Sequence, residues 1–178
     1  MKLYLARHGR TNFNERDLCN SDPNVDVHIT SEGVMQSESL AGKLKEIPID
    51  RIYISELRRT RQTAEIVNKH HHSEIEIDPL LNDHQSGYEG KPARLLIEAM
   101  DAAEDKWNAR FNQGESIEDM KKRVSKFLNK LKAEPYDSVL VVTSGWVIRM
   151  AVAIIQNISN EEAWKIDAEQ GEYLEFEI

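Results

Sequence analysis

The chain has 178 residues, 40% of them apolar, with 23 Lys and Arg against 31 Asp and Glu and a formal charge of -8. That length and apolar content predict one compact domain, residues 1–178, with an adequate core and no linker. The acidic balance argues against nucleic acid or an anionic membrane as partner, since either would favour a basic surface. With no long uncharged apolar segment, no signal-peptide layout and the lone Cys19, the sequence predicts a soluble cytoplasmic protein.

Strand and helix signals alternate along the chain, the pattern of an α/β sheet with crossover helices. Residues 2–6 form a first apolar strand. A helix begins near Thr30 or Ser31, either a suitable N-cap, and carries Val34, Leu40 and Leu44 toward the core as far as Glu46, before Pro48. A short strand over 51–54 leads into a helix over 57–70, with Leu57, Ala64 and Val67 inward and Arg58 and Arg61 toward water. A third strand covers 75–77. Residues 78–91, rich in Asp, Asn, His and Gly, read as a loop long enough to be functional. Helices follow over 92–106 and 115–133. Ser138–Val142 is continuously apolar and β-branched, as a strand buried on both faces requires. A helix from Gly145 to Ile155, a short helix capped by Ser159 or Asn160, and an alternating strand from Tyr173 to Ile178 complete the chain. The expected architecture is a three-layer α/β/α sandwich around a mostly parallel sheet.

Arg7-His8-Gly9 falls where the first strand ends, and open α/β sheets keep their ligands at such strand ends. A neutral imidazole can attack phosphorus without the activating base a serine needs, and the adjacent guanidinium offers a planar fork of donors to phosphate oxygens. A histidine beside an arginine is also a common polar pairing with no chemical role, so the tripeptide needs its context.

Arg7-His8-Gly9-Arg10-Thr11-Asn12-Phe13-Asn14 resembles the opening signature of the histidine phosphatase superfamily, the phosphoglycerate-mutase-like proteins. Thr30-Ser31-Glu32-Gly33-Val34-Met35-Gln36, preceded by Ile29, resembles that family's Leu-Thr-x-x-Gly-x-x-Gln segment. Ser55-Glu56-Leu57-Arg58-Arg59-Thr60-Arg61-Gln62-Thr63-Ala64 resembles its Ser-x-Leu-x-Arg-x-x-Gln-Thr-Ala segment. The resemblance implies a phosphohistidine at His8, with Arg7 and Arg59 cradling the transferred phosphoryl group. It implies an auxiliary phosphate contact at Asn14, and Gly9, Thr11 and Gly145 lie within its phosphate-binding segments. A small phosphorylated substrate is implied, with neither metal nor cofactor. Phosphoryl transfer supports this chemically, because it asks for in-line positioning and fixed positive donors more than for covalent elaboration.

A general acid must protonate the leaving oxygen. Leu81-Asn82-Asp83-His84-Gln85-Ser86-Gly87-Tyr88-Glu89-Gly90 resembles the family's acid-bearing loop shortened by one residue, which points to Asp83 and leaves His84 and Glu89 as alternatives. After the strand at 138–142 the family places a second catalytic His. This chain reads Val142-Thr143-Ser144-Gly145-Trp146-Val147-Ile148-Arg149, so Ser144 stands in its place and Trp146 replaces a small residue. Three explanations fit Ser144: a phosphatase of reduced or altered activity, a retired relative whose Arg7, Arg59 and Arg149 still hold a phosphate ester, or an introduced substitution. The first is favoured, because the nucleophile, both arginines and an acidic candidate remain. A mutase is disfavoured, since the shielding segments it needs are not evident.

The loop at 15–28 and the helices within 92–133 are expected to wall the pocket, with Trp107, Arg110 and Phe111 as core or surface rather than specificity residues. His70-His71-His72 does not read as a metal site, because successive helical side chains diverge by about 100°. Placement near a negative helix terminus explains it more simply. His28 has no readable role.

Overall fold

The computed structural model describes residues 1–178. Its centre is one five-stranded sheet: β1 (Lys2–Arg7), β2 (Arg51–Ile54), β3 (Glu74–Ile77), β4 (Ser138–Thr143) and β5 (Tyr173–Glu177), in the order β3-β2-β4-β1-β5. The first four strands are mutually parallel, and β5 runs antiparallel on the β1 edge. β4, at the middle, is buried along its whole length, which is why its sequence is a continuous apolar run rather than an alternating one.

Six helices cover the sheet: α1 (Ser31–Leu44), α2 (Arg58–Val67), α3 (Ala93–Asp101), α4 (Ile117–Leu131), α5 (Gly145–Ile155) and α6 (Asn160–Trp164). The period-2 alternation of the strands divides the core in two. Tyr4, Ala6, Ile52, Ile54, Leu140 and Val142 pack on one face against Leu40 and Leu44 of α1 and Ala64 and Val67 of α2. Leu3, Leu5, Tyr53, Val139 and Val141 pack on the other against α4 and α5, where Phe127 meets Tyr53 edge-on at 5.4 Å. The three-layer α/β/α sandwich is the observed fold, and no helix is long and apolar enough to cross a membrane.

Several boundaries differ from the sequence reading. Val34 is 39% exposed, because the buried stripe of α1 runs through Gly33, Ser37, Leu40, Ala41 and Leu44. Helix α2 starts at Arg58 and gives way after Val67 to a 3-10 turn over Asn68–His70. At His71 the helix terminus does not prevail: burial, then repulsion from His70 and His72, lowers its pKa. Helix α3 stops at Asp101, five residues short of expectation.

Candidate active site

β1 and β4 end level with each other, Arg7 opposite Thr143, and the His8 N–H donates to the Thr143 carbonyl at 3.1 Å. The residues that follow, His8 and Ser144, therefore emerge side by side at the carboxyl end of the sheet. β2 ends one strand further along, and its turn delivers Arg59 in the first turn of α2. The loop after β3 is drawn to the same place by a reciprocal pair: the Glu56 N–H donates to Asn82 Oδ1 at 2.9 Å and Asn82 Nδ2 to Glu56 Oε2 at 2.6 Å. That pair sets Asp83 beside Arg59. The backbone after His8 reaches its position only because two glycines meet: a Cβ on Gly9 would lie 2.3 Å from the Gly33 carbonyl oxygen, and one on Gly33 2.2 Å from the Arg10 carbonyl oxygen.

These groups line a cavity of about 210 Å³ that contains Arg7, His8, Arg59, Asp83, Ser144 and Arg149. His8 is 3% exposed. Its Nδ1 lies 2.8 Å from the Gly9 carbonyl and its Nε2 lies 3.1 Å from Arg59 Nε. Because both Arg59 Nε–H and a carbonyl oxygen have fixed roles, the proton sits on Nδ1 and donates to Gly9, while Nε2 accepts from Arg59 with its lone pair. Burial first, then the Arg59 and Arg7 charges, pushes the His8 pKa down from 6.5 to about 3, so the ring is neutral at ordinary pH.

Arg59 is 4% exposed and almost fully engaged. Besides His8 it donates from Nη2 to Asp83 Oδ2 at 2.9 Å and to the Asn20 carbonyl at 3.0 Å, and from Nη1 to Asn20 Oδ1 at 2.5 Å. Asp83 also accepts from Ser144 Oγ at 2.7 Å and from the His84 N–H at 2.8 Å. Burial pushes its pKa upward, but Arg59 and those two hydrogen bonds outweigh it, and the carboxyl is held below its ordinary value. Ser144 sits at the N-cap of α5 yet makes no capping bond, because its hydroxyl is turned to Asp83. The first N–H groups of α5 are thereby left open beside the cavity.

Arg7 donates Nη1 to the Ala168 carbonyl at 2.8 Å, and Arg149 donates Nε to the Ile166 carbonyl at 3.1 Å. Asn14 Oδ1 accepts from the Thr11 N–H and hydroxyl and from Gln170 Nε2 at 2.6 Å, which leaves Nδ2 as its uncommitted end. The Gly9 N–H is committed to Thr63 Oγ1 at 3.0 Å, so that it seats the loop. A Cβ on Gly145 would sit 3.4 Å from the Arg7 guanidinium.

Of the acidic alternatives, Asp83 lies in the cavity beside His8, and His84 lines it with Nε2 on the Glu115 carbonyl and its ring 5.4 Å from Trp146. Glu89 is elsewhere, turned onto the Asn20 side chain and the backbone N–H groups of Ser21 and Asp22. The loop at 15–28 and Ala93 and Leu96 near the start of α3 wall the cavity, whereas α4 contributes nothing to it. α4 instead steadies the site from behind: Arg123 donates to the carbonyls of Leu80 and Asp83 and pairs with Glu115. Trp107 packs against Trp164, Phe111 against Tyr88, and Arg110 pairs with Asp119, all outside the cavity. Asn20, Gln170 and Arg123 carried no local sequence signal, because each acts through partners distant in the chain.

The adenosylcobalamin/alpha-ribazole phosphatase of Salmonella typhimurium is 29% identical over 178 residues, covering 96% of this chain and 87% of that protein. A protein of Escherichia coli O139:H28 named "Probable phosphoglycerate mutase GpmB" is 30% identical over 166 residues, covering 87% of this chain and 74% of its own length. Among solved structures, the alpha-ribazole phosphatase of Shigella flexneri superimposes with a TM-score of 0.85 at 26% identity, over 100% of this chain and 91% of that one. The model of the histidine phosphatase superfamily (branch 1) matches residues 3–178, so the family suggested by the strand-end histidine and its two arginines is the family to which this chain belongs.

Proposed function

We propose that the chain acts as one domain and hydrolyses a small phosphate monoester through a phosphohistidine at His8. The observation that carries this reading is the state of the His8 ring: neutral, with Nδ1–H fixed on Gly9 and the Nε2 lone pair directed at Arg59 in a cavity shared with Arg7. A nucleophile so held needs no separate base.

In this mechanism the ester dianion enters between Arg7 and Arg59 and displaces Asp83 from Arg59 Nη2. Deprived of its cation and left beside a dianion, the buried carboxyl rises in pKa and takes up a proton. Arg59 Nε–H turns from Nε2 to a phosphoryl oxygen, the freed Nε2 lone pair forms a bond to phosphorus, the P–O ester bond breaks, and the departing oxygen receives the proton of Asp83. Water then attacks the phosphohistidine, gives a proton to the Asp83 carboxylate, and the P–N electron pair returns to Nε2. Asn14 Nδ2 and the open N–H groups of α5 supply further phosphate donors.

Ser144 occupies the position of the family's second histidine and adds no donor to the phosphoryl group, its hydroxyl being held by Asp83. The same contact favours a second reading, a retired relative that binds phosphate esters through Arg7, Arg59 and Arg149 without turnover. Acid-labile phosphate on His8, together with steady-state hydrolysis of p-nitrophenyl phosphate, separates the two. The phosphatase reading expects both signals, and expects both to vanish in His8→Ala. Phosphate-ester affinity that depends on Arg7 and Arg59, with neither signal present, would establish the retired reading instead.

A further inference from the structure

Resting on that phosphohistidine reading, we propose that Glu89 and Asn20 are positioning residues: Glu89 fixes Asn20, and Asn20 fixes the Arg59 guanidinium against the nucleophile. Glu89 Oε1 accepts from Asn20 Nδ2 at 2.7 Å, and Oε2 accepts from the N–H of Ser21 at 2.7 Å, the N–H of Asp22 at 3.2 Å and the Ser21 hydroxyl at 3.3 Å. Four donors converging on one side chain call for a carboxylate, which only accepts. Backbone pairing joins the same two segments: the Cys19 N–H donates to the Lys91 carbonyl and the Gly90 N–H to the Cys19 carbonyl, each at 2.9 Å, and the Ala93 N–H to the Asp17 carbonyl at 2.8 Å. Residues 17–22 and 89–93 therefore form one unit.

That unit ends on Arg59. Asn20 offers its side-chain oxygen to Nη1 and its carbonyl to Nη2, while Asp83, six residues before Glu89 in the same loop, holds Nη2 as well. These contacts do different work during a turnover. Asp83 must release Arg59 when a phosphoryl group arrives, because both claim Nη2 and because Asp83 has to become the acid. The Asn20 contacts lie to the side of that exchange and persist through it. They keep the guanidinium in its plane beside His8 while Nε–H passes from the Nε2 lone pair to a phosphoryl oxygen and Nη2 changes partner. Without them Arg59 would be oriented only by the group it must give up.

The test compares Asn20→Ala and Glu89→Gln, each alone and combined with Arg59→Ala. The readouts are p-nitrophenyl phosphate turnover, orthovanadate affinity and the ring 15N resonances of His8, assigned by their loss in His8→Ala. Asn20→Ala is expected to lower kcat/KM about 10- to 100-fold, the size of effect that small misplacements of a positioned group produce. Glu89→Gln should act in the same direction and less. Both should move the His8 Nε2 resonance, and neither should change vanadate affinity or that resonance further once Arg59 is alanine, since residues acting as one unit are non-additive. A purely structural role for the loop would leave the effects undiminished in the Arg59→Ala background, and that outcome, or unshifted His8 resonances in the single variants, would overturn the inference. Absence of turnover in the unaltered protein would sink the phosphatase reading alone, because the ring spectrum and vanadate affinity still decide whether Asn20 and Glu89 position Arg59.

Discussion

Ser144→His is the substitution on which the proposed chemistry makes its sharpest claim. At present the Ser144 hydroxyl lies 2.7 Å from Asp83 Oδ1, so the phosphoryl group is left to Arg7, Arg59 and the open end of α5. An imidazole at position 144 would add one preorganised donor beside Asp83 in the cavity. Such a donor is typically worth about 100- to 1000-fold in rate, or about 2.7–4 kcal/mol. Losing the serine hydroxyl also removes one of the hydrogen bonds that hold Asp83 below its ordinary pKa, which favours the protonated acid. Steric adjustment beside Trp146 acts the other way, and the net expectation is a gain of about 100-fold in kcat/KM. The gain should fall in kcat, since the new contact strengthens as charge develops on the equatorial oxygens. Steady-state hydrolysis of p-nitrophenyl phosphate and of an alkyl phosphate measures it, with Ser144→Ala as companion. Because the hydroxyl does not serve the phosphoryl group, Ser144→Ala should lose less than about tenfold, well short of the loss of a donor. Unchanged or lower activity in Ser144→His, or a loss of 100-fold or more in Ser144→Ala, would refute the reasoning.

Further expectations concern stability and the seating of the nucleophile. His8 is held neutral down to about pH 3, whereas an unfolded histidine takes up its proton near 6.5. The unfolded state therefore binds more protons across that window, and stability falls as pH drops through it. Urea unfolding at several pH values should show a shallower dependence in His8→Gln, and an equal slope would contradict the assignment. Gly33→Ala drives a Cβ to within 2.2 Å of the Arg10 carbonyl oxygen and should cut activity about 10- to 100-fold by shifting the loop that follows His8. Gly42→Ala, in the exposed face of α1 with nothing within 4 Å, should instead stabilise by about 0.5–1 kcal/mol and leave turnover unchanged. Phe127→Ala empties a buried site against Tyr53 and is expected to destabilise by about 3–5 kcal/mol in chemical denaturation.

What could be read from the sequence depended on how local its cause was. β4 was legible because a strand buried on both faces has to be apolar throughout, and α2 because Leu57, Ala64 and Val67 repeat at the helical period. His8 and Arg59 were legible because strand ends and the motifs around them mark the site. Val34 misled because one apolar residue near the edge of a stripe looks the same inside or outside it. The antiparallel direction of β5 and the early stop of α3 depend on tertiary contacts that periodicity does not encode. Glu89 is the instructive case: its loop identified it as an acid candidate, yet its four partners lie in residues 20–22, nearly seventy positions away. Composition finds a carboxylate, and only the fold tells whether it meets a substrate or a backbone.

The resting ion pair carries one more consequence. Arg59 and Asp83 are 4% and 17% exposed, so their attraction is little screened, and in the proposed mechanism the acid waits in its ionised form on the very guanidinium that the phosphoryl group needs. Any dianion that takes Arg59 must release Asp83, and a buried carboxylate released beside a dianion binds a proton. The proposed mechanism therefore couples phosphate binding to proton uptake. Titration calorimetry with inorganic phosphate at about pH 8, repeated in buffers of different ionisation enthalpy, reads that uptake directly. The expected result is a positive uptake approaching one proton per phosphate bound, absent in Asp83→Asn, whose amide cannot be ionised. If the uptake were equal in both proteins, Asp83 would not be the group that exchanges, and the acid would have to be sought in its neighbour His84, which also lines the cavity.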